Sequence, residues 1–201
     1  CTWVLGNHDV DRPVTRYGGG PVGVARARAA ALVQFSLPGA AYIYNGEELG
    51  LPNVDLPDDA LRDPTWERSG HTHRGRDGER VPLPWRGDAA PFGFSTSPTT
   101  WLPMPPSFAG LGVLDQENDP SSTLSMFRAA VRLRRLLFVA AGPVEWLDAP
   151  VGVLAFRRGD VTVLLNAGSE PTPVPPGAVL LSSGPLADER TLPVDTAVWV
   201  R

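Results

Sequence analysis

Few positions in this chain combine the side chains and the spacing that chemistry needs. Asn7-His8-Asp9 comes first among them: an imidazole beside a carboxylate, directly after the strand-like run Thr2-Trp3-Val4-Leu5-Gly6. In parallel α/β architectures, ligand-contacting residues gather at the carboxyl ends of strands, so a His-Asp pair there is well placed to work. Side chains alternate along a strand, so His8 and Asp9 enter one site only if the strand stops by about Asn7. Gly6-Asn7 is such a stop. The competing reading is structural, with Asp9 capping a turn and His8 packing; the tripeptide alone leaves both open.

Other groups read as structural. Glu47-Glu48 supplies two neighbouring carboxylates, yet adjacent side chains at a strand end splay apart, so the pair is expected to fix a loop. His71 and His73 flank Thr72 with metal-like spacing but no third ligand stands in register, and no metal or cofactor is expected. Arg128, Arg132, Arg134 and Arg135 could form an anion patch; the bland expectation is a solvated helix face whose charge complements the helix dipole. Arg158-Gly159-Asp160 is expected to be a hairpin turn, which accounts for the tripeptide fully.

The elements that must carry these residues follow from the pattern. Thr2 to Gly6 is expected as a strand and Val22 to Leu37 as a helix, with Pro21 in its first turn and Pro38-Gly39 as its stop. Ala40 to Tyr44 is an apolar run without alternation, expected as a strand buried on both faces of a parallel sheet. Residues 1 to 50 therefore read as a βαβ unit. Residues 51 to 118 are dense in Pro, Gly and Trp, and read as an ordered excursion anchored by Trp66, Trp85, Phe92, Phe94, Trp101 and Phe108. Asp119-Pro120 is expected to open a helix that runs to about Phe138, with Met126, Ala130, Leu133 and Leu137 on its apolar face. Short strands are expected at Val151 to Arg157, Val161 to Asn166, Ala178 to Ser182 and Thr196 to Val200. The expected division is residues 1–140, holding the βαβ unit and the excursion, then a small antiparallel β domain over 141–201.

Composition excludes more than it identifies. At 42% apolar residues the chain can bury a real core, and its net charge of −4 gives nucleic acid no electrostatic reason to bind. Arginines interrupt the greasiest stretch, Ala25 to Leu37, so no membrane partner is expected. All eighteen basic residues are Arg, a bias that a GC-rich genome explains. A single cysteine, Cys1, excludes an internal disulfide. The chain opens within a strand-like run, so it is expected to be part of something longer, and the cytoplasm is only a default location.

Four motifs stand in a telling order. Asn7-His8-Asp9, followed by Arg12, Arg16 and Tyr17, and then Pro38-Gly39-Ala40-Ala41-Tyr42-Ile43-Tyr44-Asn45-Gly46-Glu47-Glu48-Leu49-Gly50, resemble the last two βα units of the α-amylase superfamily. Arg62-Asp63-Pro64-Thr65-Trp66 and Arg76-Asp77-Gly78-Glu79-Arg80-Val81-Pro82-Leu83-Pro84-Trp85 resemble its α-glucosidase and oligo-1,6-glucosidase branch. Thr191-Leu192-Pro193 with Thr196-Ala197-Val198-Trp199 looks like the close of that family's C-terminal β domain. The resemblance covers essentially the whole chain; Asn45 departs from it, standing where relatives more often have Gln or Tyr.

The resemblance implies an α/β fold: the C-terminal portion of a (β/α)8 barrel followed by a small antiparallel β-sandwich. It implies a retaining glycosidase that uses one carboxylate as nucleophile and a second as acid/base. In the family those two lie on the fourth and fifth strands, upstream of the strand that opens this chain. Asp9 matches the third family carboxylate, a transition-state stabiliser, with His8 beside it on the sugar. Arg12 and Arg80 match arginines near the sugar pocket. The expected substrate is an α-linked glucoside, the expected partner is the missing N-terminal barrel portion, and the isolated chain is expected to be inactive. A transglycosylating relative or a non-catalytic carbohydrate-binding remnant is the alternative.

Overall fold

The computed structural model describes residues 1–188 and 190–201. β1 (Thr2–Val4) and β2 (Ala40–Tyr42) run parallel, with Trp3 opposite Ala41. α1 (Pro13–Arg16) and the long α2 (Gly20–Ser36) form the crossover between them. Helix α2 begins two residues before the expected Val22, and Pro21 still occupies its first turn. A parallel pair joined by helices is what the βαβ reading requires.

The burial expected of β2 is absent. Tyr42 is 60% exposed and Trp3 37%, because among the described residues β2 pairs with β1 alone. Beside the open edge lies a groove of about 840 Å3, lined by Phe35, Ile43, Leu124, Phe127, Val131 and Leu136. The apolar run reads as a buried strand, but among the described residues nothing pairs with the second edge of β2.

Residues 51–118 wind without long elements through α3 (Pro64–Arg68), α4 (Val113–Gln116) and three single 3-10 turns. They have a core of their own in which Phe92 and Phe108 are fully buried with Leu49, Leu51 and Leu102. The aromatic anchoring is narrower than expected: Trp85, Phe94 and Trp101 are exposed.

Helix α5 (Thr123–Leu137) starts three residues later than its expected opening. Its cap is Ser122, whose hydroxyl accepts from Ser125 N at 3.1 Å. Asp119 instead closes a turn, accepting from both the N–H and the hydroxyl of Ser121. Met126 and Ala130 are buried as the spacing predicts. Arg134 corrects the solvated-face expectation: it donates to Phe35 O, Leu37 O and Gly39 O, satisfying carbonyls that the end of α2 leaves open. Arg128, Arg132 and Arg135 are exposed.

The remaining strands are β3 (Glu145–Trp146), β4 (Val153–Arg158), β5 (Val161–Asn166), β6 (Thr172–Pro173), β7 (Val179–Ser182), β8 (Thr191–Leu192) and β9 (Thr196–Val200). They form a five-stranded antiparallel sheet, β3-β4-β5-β9-β7, and a two-stranded β6-β8 ladder. Gly159-Asp160 turns between β4 and β5, as the hairpin reading has it. One face of the larger sheet packs on α2 and α5, bringing Leu32, Phe127, Phe156 and Trp199 into a single cluster. Trp199 meets Phe138 edge to face at 5.0 Å and donates its indole N–H to Leu32 O. Among the described residues, no helix is long and apolar enough to cross a membrane.

Candidate functional site

Strand β1 stops at Val4, and the next residues turn sharply. Asn7 Oδ1 accepts from Asp9 N at 2.8 Å, and Asn7 bridges to Val10. That local turn breaks the alternation that would have sent residues 8 and 9 to opposite faces. His8 Nε2 consequently lies 3.5 Å from Asp9 Oδ2, with both side chains exposed. The imidazole and the carboxylate share one place at the carboxyl end of β1.

Asp9 is held from the excursion. Arg76 Nη1 reaches its Oδ1 at 2.8 Å and Arg80 Nη2 reaches the same oxygen at 3.0 Å. Arg80 Nε also donates to His8 O at 2.8 Å, so this one guanidinium spans both residues. Behind them stands Asp63, whose side chain has no exposure at all, in ion pairs with Arg76 Nε at 2.7 Å and Arg80 Nη1 at 3.5 Å. The hydrogen bond from Arg76 drives the Asp63 carboxyl far below the usual carboxylate range, and Asp63 in turn raises the Arg76 guanidinium. Sequence reasoning found His8, Asp9 and Arg80 and missed Arg76 and Asp63 as members of the site. The available signal was the Arg76/Arg80 pair at a spacing of four across a Gly-containing turn.

Arg12 is placed differently from its expected sugar contact. It is 3% exposed, and it donates to Asn45 O at 2.6 Å and Glu79 O at 2.8 Å, with Tyr44 5.0 Å beneath. Burial lowers its pKa and raises that of Tyr44. It therefore braces the loop after β2 against the excursion and is not brought to Asp9. Asn53 is a second clip, accepting from Arg12 N and donating to Glu79.

Glu47 and Glu48 do splay. Glu48 accepts from Gly46 N at 2.8 Å and fixes the turn, whereas Glu47 is buried with neither oxygen in a well-formed hydrogen bond. Burial pushes the Glu47 carboxyl up to about 7, against the opposing pull of the Tyr44 main chain and of Arg12. His71 stacks on Trp66 at 4.7 Å and contacts Glu67 at 3.2 Å.

An exposed carboxylate, immobilised through one oxygen by two cations and flanked by an imidazole, can accept hydrogen bonds from hydroxyl groups of a polar, uncharged ligand. The family model for the alpha-amylase catalytic domain matches residues 1–140. The chain belongs to the alpha-amylase family.

Its relatives in this family include a probable alpha-glucosidase of Rhizobium meliloti (strain 1021), 35% identical over 158 residues. That match takes in 78% of this chain and 28% of the relative. Maltase 1 of Drosophila virilis is also 35% identical, over 79% of this chain and 25% of its own length. Among solved structures, an alpha-glucosyl transfer enzyme, XgtA, superposes with a TM-score of 0.80 at 32% identity. The superposition covers all of this chain and 40% of XgtA. The trehalulose synthase MutB of Pseudomonas mesoacidophila MX-45 shares the fold, with a TM-score of 0.80 at 24% identity over 99% of this chain and 42% of its own. The chain thus spans well under half the length of the family members it matches.

Proposed function

We propose that this chain is the C-terminal portion of a retaining α-glucosidase, comprising the last two βα units of its (β/α)8 barrel and a C-terminal β domain from about residue 141. The observation that carries the reading is the exposed Asp9 carboxylate, fixed by Arg76 and Arg80 with His8 alongside at the end of β1. In this role Asp9 accepts hydrogen bonds from hydroxyls of the glucosyl ring and His8 orients that ring. Such bonds accelerate the reaction when they tighten as the ring flattens toward the oxocarbenium-like state. The nucleophile and the general acid belong to the rest of the protein, so the 201-residue chain alone turns over no glucoside. The α-glucosidase and maltase relatives support a substrate with a terminal α-linked glucose.

The test is Asp9→Asn in the full-length polypeptide that carries this chain, assayed on p-nitrophenyl α-glucoside. Loss of a single preorganised polar contact of this kind costs about 100- to 1,000-fold in kcat. Near-normal turnover by a folded variant would end the assigned role, and turnover by the 201-residue chain would overturn the division of labour.

The likeness to XgtA favours a second reading, in which the same site passes glucose to another hydroxyl compound instead of water. Product analysis at high maltose concentration separates the two: oligosaccharides longer than maltose mark transfer, glucose alone marks hydrolysis.

A further inference from the structure

The Asp9–Arg76 and Asp9–Arg80 pairs are partly exposed, and pairs of that kind are poor at fixing long side chains by themselves. Yet both guanidinium groups converge on one oxygen. The order comes from the other side. Arg76 donates to Asp63 Oδ2 from its Nε at 2.7 Å and from its main-chain N at 3.0 Å. Asp63 is itself held through its main chain: Asp63 N and the preceding Arg62 N both donate to Asp77 Oδ2, at 2.7 and 2.6 Å. Asp63 Oδ1 accepts from Thr65 N at 2.9 Å and caps α3. Gly75 lets the strand of chain pass close by, since a β-carbon there would stand 2.6 Å from Asp63 Cβ.

We propose that Asp63 is a positioning residue: its buried carboxylate anchors Arg76 and Arg80 so that both present donors to Asp9. With a side chain wholly shut off from solvent, Asp63 touches no sugar and acts only through the two arginines. The arrangement alternates charge, Asp63, then two cations, then Asp9, so that only the last carboxylate faces the ligand. The inference rests on the reading of Asp9 as the ring-binding carboxylate and extends it to the machinery that holds that group still.

The test is a cycle of Asp63→Asn, Arg76→Gln and the double variant in the full-length polypeptide, on p-nitrophenyl α-glucoside. Asn keeps the α3 cap and removes the charge. Misplacement of a catalytic group by about 1 Å costs on the order of 100-fold, so D63N is expected to lose about that much in kcat with a smaller change in KM. The double variant is expected to lose more than R76Q, because Arg80 is released as well, but clearly less than the product of the two single losses, because residues acting as a unit are not additive. D63N within about twofold of wild type, or losses that multiply in the double variant, would overturn the proposal. Should D63N fail to fold, R76Q decides, since its side chain is 43% exposed and its loss leaves the cap intact: normal kcat in R76Q refutes the anchoring. If the wild-type polypeptide turns over no α-glucoside, the functional reading fails by itself. The anchoring is then read from a crystal structure of D63N, where Arg76 displaced from Asp9 upholds it and Arg76 unmoved rejects it.

Discussion

Glu47 Oε1 lies against Gly6 so closely that a β-carbon on Gly6 would stand 2.5 Å from it. The carboxylate is wedged at the ends of the two parallel strands, buried and without a good hydrogen-bond partner, and faced by Arg12, Arg16 and Glu48. An ionised group in such a place is costly, which is why burial raises its pKa from 4.5 to about 7.

The sign of the pH effect follows. The folded state holds the Glu47 proton more tightly than the unfolded chain, so the stabilisation is fully present below about pH 4.5. It declines as pH rises and is lost by about pH 7. The shift is worth up to roughly 3 kcal/mol at about 1.4 kcal/mol per unit. Urea unfolding of the 201-residue chain at pH 5 and pH 8 is expected to show that loss, and Glu47→Gln to remove most of it. An equal pH response in E47Q would show that another group is responsible.

Gly23 is expected to be intolerant of any side chain. A β-carbon there would stand 2.1 Å from Val14 O, where α2 crosses α1. Main chain cannot yield as a flexible side chain does, so Gly23→Ala must push α1 away, and with it the loop that carries Asp9. Overpacking of this kind costs about 1–3 kcal/mol. A thermal midpoint for G23A equal to wild type would show that the contact between Gly23 and Val14 O does not limit the packing of the two helices.

Arg158 looks like a surface residue in the sequence and is buried in the fold. Its guanidinium donates to Gly142 O, Ser36 O and Phe138 O, each at 2.9 Å, and so joins β4 to the ends of α2 and α5. Arg158→Met leaves these carbonyls unpaired where water has little access, at an expected cost of about 2–4 kcal/mol. Arg158→Lys is expected to recover only part, because an ammonium lacks the planar fork. Full recovery in R158K would mean that charge, not geometry, matters there.

What the sequence made legible depends on the range of the determining interaction. The βαβ order is local, written in apolar runs and in Pro21, Pro38 and Gly39, and it is found in the fold. The turn that brings His8 and Asp9 together is local as well, set by Gly6-Asn7. By contrast, Asp9 meets Arg76 across 67 positions, through an excursion with no periodicity to follow. Arg134 was expected in water because a helix-surface arginine has the same pattern whether it meets water or carbonyl oxygens. Ser122 displaced Asp119 as cap because both types cap well, and only the turn at Ser121 decides between them.

The open edge of β2 gives the last prediction. Tyr42 is exposed there, beside the groove formed by Ile43, Phe127 and Val131, and an unpaired apolar edge is a template for another chain. The 201-residue chain is therefore expected to self-associate as its concentration rises and to bind a hydrophobic dye. Tyr42→Lys places a charge on the edge, where it repels a second strand without disturbing the β1 pairing through the main chain, and it is expected to shift the chain toward monomer in light scattering. A wild-type chain that stays monomeric and binds no dye would mean that the edge and the groove are covered in solution by the chain itself.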